Sequence, residues 1–189
     1  MESAPGETRV AASPETVKKL IDLGCQVFIE EGAGNSAGYL DKAYANVGGE
    51  CVPLGNEDIW KKVDVLLCVQ VPRKEWLEKL RVKALVIGLL APYQNQSLAN
   101  ILSSGSLSAL AMELLPRISR AQSADALSSQ ANVAGYKSVL IAASALDRYF
   151  PMLMTAAGTV QPAKVVVLGA GVAGLQAVAT ARRLGAVVF

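Results

Sequence analysis

The chain has 189 residues, with 18 Lys and Arg against 16 Asp and Glu, and no Lys/Arg cluster, which excludes a nucleic-acid surface. Hydrophobic residues make up 52 % and histidine is absent, so there is ample core for one large or two small domains but no imidazole for acid–base work or metal binding. Three cysteines, Cys25, Cys51 and Cys68, show no CxxC spacing and read as small core residues at or inside strands, with no metal site expected.

Along the chain, helix and strand signals alternate. The start, Met1 to Glu7, is polar and acidic and carries no signal-peptide pattern. Ser13-Pro14-Glu15 predicts a helix start, with Ser as N-cap and Pro at the first helical position, and Gly24 ends the apolar stripe of Val17, Leu20 and Ile21. Strands are expected over 25–29, 50–53, 63–69 (buried), 84–90 and 108–114. Helices are expected over 39–47, 57–62, 75–80 and 95–102, with a loop over 30–38. Such interleaving implies a doubly wound parallel sheet with helices on both faces. The longest charge-free stretch, Ala84 to Met112, is interrupted by Pro92 and several amides and serines, and makes a poor membrane span. An intracellular soluble protein is the expectation.

From Asp125 to Tyr149 the chain runs without Pro, with alanines and aliphatics at helical spacing, and predicts one long helix. Residues 151–162 read as a linker. The domain expectation is an N-terminal α/β domain over 1–124, a linking helix and linker over 125–163, and the start of a nucleotide-binding domain over 164–189.

That last segment carries the strongest motif. Lys164-Val165-Val166-Val167-Leu168 is followed by Gly169-Ala170-Gly171-Val172-Ala173-Gly174 and then an Ala-rich helical pattern. A strand, a G-x-G-x-x-G turn and a helix N-terminus together hold a dinucleotide pyrophosphate. Gly169 permits the turn, Gly171 lets the backbone approach the phosphates beside Val172, and Gly174 lets the helix pack close. The free N–H groups and positive dipole end of the helix face the anion. A second strand is expected at Ala186 to Phe189. The acidic residue that grips the adenosine ribose belongs about 20 residues past the first glycine, at or just beyond Phe189. The chain is therefore expected to hold only the first βαβ unit of its cofactor domain.

Between the last strand of the first domain and the long helix lies Pro116-Arg117-Ile118-Ser119-Arg120-Ala121-Gln122-Ser123-Ala124-Asp125. Two arginines, two serines, a glutamine and an aspartate crowd one loop, and loops at strand C-termini line the ligand crevice of α/β sheets. The same loop also reads as a solvated connection in which Asp125 or Ser123 caps the helix, and capping is compatible with ligand contact.

The run from Pro116 to Asp125, continued by Ala126-Leu127-Ser128-Ser129-Gln130, resembles the signature of the NAD(H)-binding domain in the alpha subunit of proton-translocating nicotinamide nucleotide transhydrogenases. The resemblance extends from Pro5-Gly6-Glu7-Thr8-Arg9-Val10-Ala11 to the stretch from Phe150 to Gly174, and both ends of the chain look truncated against the family. It implies that Arg117, Gln122 and Asp125 orient the nicotinamide and its ribose, and that Ile118, Ser119 and Arg120 line the same site. Ser128 sits one helical turn past the aspartate. It also implies direct hydride transfer from NADH to NADP⁺ bound on a partner domain, a positioning task without substrate proton transfer. An Arg–Asp pair is expected to lock the loop. Membrane-spanning partner subunits, a homodimer, and a cytoplasmic location on the inner face of the membrane are implied in the same way. Truncated as it looks, the chain alone is expected neither to bind NAD tightly nor to transfer hydride.

The alternative is the related alanine dehydrogenase. That family holds its substrate carboxylate at the position of Arg9 and uses a lysine and a histidine as proton-transfer groups. Here the lysine position reads as Gln70, Lys74 is out of register, and histidine is absent. Arg9 is accordingly expected to be structural.

Overall fold

The computed structural model describes residues 2–189, in two compact units divided after Pro116. In the first, α1 (Pro14–Asp22) begins as expected: the Ser13 hydroxyl accepts the Thr16 N–H at 3.3 Å, and Pro14 occupies the first turn. Gly24, at φ +87°, turns the chain out of the helix. β1 (Phe28–Glu30) starts three residues later than its apolar run suggests. The Cys25 N–H bonds the Leu20 carbonyl in the helix-ending turn, so Cys25 is exposed rather than buried in a strand.

Next come α2 (Asp41–Ala45) and β2 (Glu50–Val52), which pairs parallel with β1, Phe28 opposite Glu50. Val17, Ile29 and Tyr44 form the local core. Tyr44 is fully buried, and its hydroxyl reaches the Ala12 carbonyl at 3.0 Å, which satisfies the one polar atom that burial strands.

α3 (Glu57–Trp60) leads to a second parallel ladder: β3 (Val65–Leu67), β4 (Leu85–Gly88) and β5 (Ser108–Ala111), in that order. α4 (Lys74–Leu77) and α5 (Gln96–Ser104) make the crossovers. Trp60, Leu77, Val86, Leu90 and Leu98 form the core of this ladder. β3 is not the buried strand its apolar run suggests. Leu66 packs on that core, while Val65 and Leu67 are 44 % and 37 % exposed. A run that is apolar on both faces cannot reveal that only one face is covered. Cys68 packs against the same core, and Cys51 is half-buried in β2. The sheet architecture is parallel, as expected, with its hydrogen bonding split into two ladders.

The second unit opens with a 3-10 helix, Ser119–Ala124, and then α6 (Ala126–Ala145). α6 stops short of Tyr149. The segment read as a linker contains an antiparallel hairpin, β6 (Leu153–Thr155) and β7 (Gly158–Val160). Its turn needs glycine, since Gly158 lies at φ +131°. β8 (Lys164–Val165), α7 (Val172–Arg183) and β9 (Val187–Val188) complete a parallel βαβ unit. The ladder runs on past β9 through Val167 N–H to the Phe189 carbonyl at 2.9 Å. Val139 of α6 and Ala177, Ala181 and Ala186 are buried together beside Phe150. No helix among the described residues is long and apolar enough to cross a membrane.

Candidate dinucleotide site

The turn between β8 and α7 has the geometry that each of its glycines was expected to permit. Gly169 lies at φ +112°, where an L side chain is strained. Gly171 caps α7 with extended backbone, and a Cβ placed there meets nothing within 4 Å, so the space beside it is open. A Cβ at Gly174 would instead run into the Gly169 carbonyl, with its carbon 2.9 Å away. One glycine makes the turn, one leaves room for a ligand, and one lets the helix close onto the turn. No side chain caps α7 and no acidic residue lies in its first turn. The first N–H groups of the helix therefore face outward, together with the positive dipole end. These residues fit a pyrophosphate.

The loop 117–125 belongs to this same unit. Asp125 is the N-cap of α6. Its carboxylate accepts the Ser128 N–H at 2.9 Å and the Ser128 hydroxyl at 2.6 Å. Those two bonds hold the carboxyl below its usual range, and the charge of Arg117 adds a smaller effect. The expected Arg–Asp lock is absent: among the described residues no ion pair joins Arg117 to Asp125. The reason is local. A helix cap satisfies the aspartate from within its own turn, while the exposed arginine keeps its hydration. Arg117, Ile118, Ser119, Arg120 and Gln122 are all exposed, and Asp125 and Ser128 half-buried. The structure thus fixes the aspartate and serine and presents the other five to solvent.

A second cluster lies in the first unit. Arg9 grips Glu7 through Nε at 2.8 Å and through Nη2 at 2.7 Å, and the Gln70 amide donates to the same carboxylate at 3.1 Å. These donors, with the Arg9 backbone N–H, outweigh desolvation and hold the Glu7 carboxyl at about 2. Nearby, Glu2 accepts the N–H groups of Val69 and Gln70 at 2.7 and 3.1 Å. Arg9 is engaged inside the protein, as a structural arginine would be. Glu7 and Gln70 lie 63 residues apart, so no local sequence signal could have joined them.

Profiles of the alanine dehydrogenase/PNT N-terminal and C-terminal domains match residues 1–134 and 138–189. The chain belongs to the alanine dehydrogenase/PNT family. Among members of this family, it is 47 % identical over its whole length to an NAD(P) transhydrogenase alpha subunit of Rhodospirillum rubrum, of which it covers 50 %. The crystal structure of transhydrogenase from Sinorhizobium meliloti superposes with a TM-score of 0.94 at 50 % identity, over 99 % of this chain and 55 % of that one. An L-alanine dehydrogenase structure is more distant: TM-score 0.83 and 30 % identity, over 98 % of this chain and 51 % of that one. The chain spans about half the length of the transhydrogenase subunits that it matches end to end. The Rossmann-like fold is shared with both kinds of neighbour.

Proposed function

We propose that this chain is the NAD(H)-binding part of a proton-translocating transhydrogenase, in which a hydride passes directly from NADH to NADP⁺ held on a partner domain. The observation that carries the reading is the combination, in one compact unit, of the glycine turn with open space at Gly171 and the capped loop ending at Asp125. Likeness to transhydrogenase alpha subunits over the whole chain supports the choice of reaction.

NADH supplies the hydride; this chain's residues bind and orient. The N–H groups at the start of α7, with Gly169, Gly171, Val172 and Gly174, hold the pyrophosphate. Arg117, Gln122 and Asp125 orient the nicotinamide ribose and carboxamide, with Ile118, Ser119, Arg120 and Ser128 around them. Asp125 stays ionised on its Ser128 donors and accepts rather than donates hydrogen bonds. Direct hydride transfer asks for placement of two rings, and none of these groups needs to move a proton. The partners in this reading are the NADP(H)-binding and membrane-spanning subunits. The protein is a homodimer on the cytoplasmic face of the membrane.

Amino-acid oxidation, by contrast, requires a carboxylate anchor and proton-transfer groups. Arg9 already holds Glu7, and Gln70 is not a titratable group.

The test is an NADH fluorescence titration of this chain beside a version spanning the length of the relatives. Saturable binding by the longer version is expected, with weak or no binding by the 189-residue chain. Binding by neither would overturn the dinucleotide reading. Adding the NADP(H) domain with an NADP⁺ analogue should then give hydride transfer, whereas alanine-dependent NAD⁺ reduction would establish the dehydrogenase instead.

A further inference from the structure

α6 is an exposed helix that buries only Gly135 and Val139. Val139 joins the apolar core with Ala177 and Ala181 of α7. Gly135 does something different. A Cβ there would run into the Ala173 carbonyl oxygen, with the carbonyl carbon at 2.9 Å and the Cα at 3.0 Å. All three atoms are backbone, so no side chain can swing aside. From the other side, Gly174 brings the Gly169 carbonyl equally close. The first turn of α7 is thus held between two glycines, one in the phosphate-binding turn and one on α6.

Asp125 caps the start of α6, and Gly135 lies about 15 Å along that helix at the usual rise per residue. One rigid helix therefore carries an anchor at its N-terminus and a seat for the N-terminus of α7 further along. We infer that Gly135 is a positioning residue for the dinucleotide: it sets the separation between the phosphate-binding turn and the loop that ends at Asp125. The inference rests on the dinucleotide reading above. A larger residue at 135 must push α7 away from α6 and so move the pyrophosphate site relative to Arg117, Gln122 and Asp125.

The test uses Gly135→Ala in the full-length protein, with NADH and ADP-ribose as probes and calorimetric melting alongside. ADP-ribose reaches the phosphate turn without a nicotinamide to place. The expected result is NADH affinity lowered about tenfold or more, as misplacement of one anchor implies, with ADP-ribose affinity little changed. Equal losses for both probes, or a lower melting temperature with both affinities intact, would mean a merely structural glycine and overturn the inference. Where the variant fails to fold, amide exchange of the wild type decides. NADH should slow exchange at residues 134–138 together with 171–175, and slowing at 171–175 alone would overturn it. Wild-type protein that binds neither probe would instead remove the dinucleotide reading.

Discussion

Gly171 and Gly174 stand three residues apart in the same turn, and substitution should affect them in opposite ways. Gly171→Val adds atoms to open space. It should leave the melting temperature unchanged while NADH binding by the full-length protein is lost. Gly174→Ala meets the Gly169 backbone and should lower the melting temperature, by destabilisation of about 1–3 kcal/mol for an overpacked position. Glu7 gives a pH signature. Its folded-state carboxyl sits at about 2 against 4.5 for the free group, so its contribution is complete above pH 4.5 and is lost as pH falls towards 2. Glu7→Gln should therefore be less stable than wild type at pH 6, with the two melting curves converging near pH 2. A constant gap across that range would argue against the Arg9 bond as the cause. The cysteines should separate by labelling: Cys25 is exposed, while burial, with Glu2 nearby, pushes the Cys68 thiol up to about 12. A thiol reagent at pH 8 should modify Cys25 first and Cys68 last, as read by peptide mass. Of these features only the glycine turn was legible in advance, because its three roles are played within six consecutive residues. The exposure of Cys25 depends on where a helix-ending turn stops. The Glu7 network depends on a contact across 63 residues.

Most elements here are too short to stand alone, and isolated helices of their length are marginal. α4 has four residues and is held by Leu77, which is 2 % exposed. Leu77→Ala should cost about 2–5 kcal/mol, measured by denaturant unfolding. Ser13→Ala removes the side-chain cap of α1 and should cost about 1 kcal/mol by the same measurement. The starts of α1 and α6 were readable because capping is local: Ser13 precedes Pro14, and Asp125 lies three residues before Ser128. The hairpin of β6 and β7 was not readable. Its strands have three residues each and follow no apolar alternation, and Met154 is 80 % exposed. Its pairing depends on the Gly158 turn rather than on a hydrophobic pattern. Similarly, β3 and β9 are shorter than their apolar runs, because a run shows where a strand can lie and not where its partner ends.

At the scale of the whole molecule, the proposed function makes melting temperature depend on NADH. In the full-length protein, ligand at one hundred times its dissociation constant should stabilise by about 2.7 kcal/mol. An upward shift that saturates with NADH is expected in calorimetry. The alternation of helix and strand was enough to determine an α/β chain with parallel strands, because βαβ units leave a repeating apolar signature. The glycine spacing at 169–174 determined a phosphate-binding turn, and the run from Pro116 to Ser128 carried the family resemblance. All of these are local in the chain. Tertiary structure alone decided that Asp125 is held by Ser128 and not by Arg117, that Arg9 is occupied by Glu7 and Gln70, and that Gly135 lies against the backbone of α7. The physical reason is range. A cap or a turn is satisfied within a few residues, whereas an ion pair or a close helix crossing joins segments whose meeting is settled only when the chain has packed.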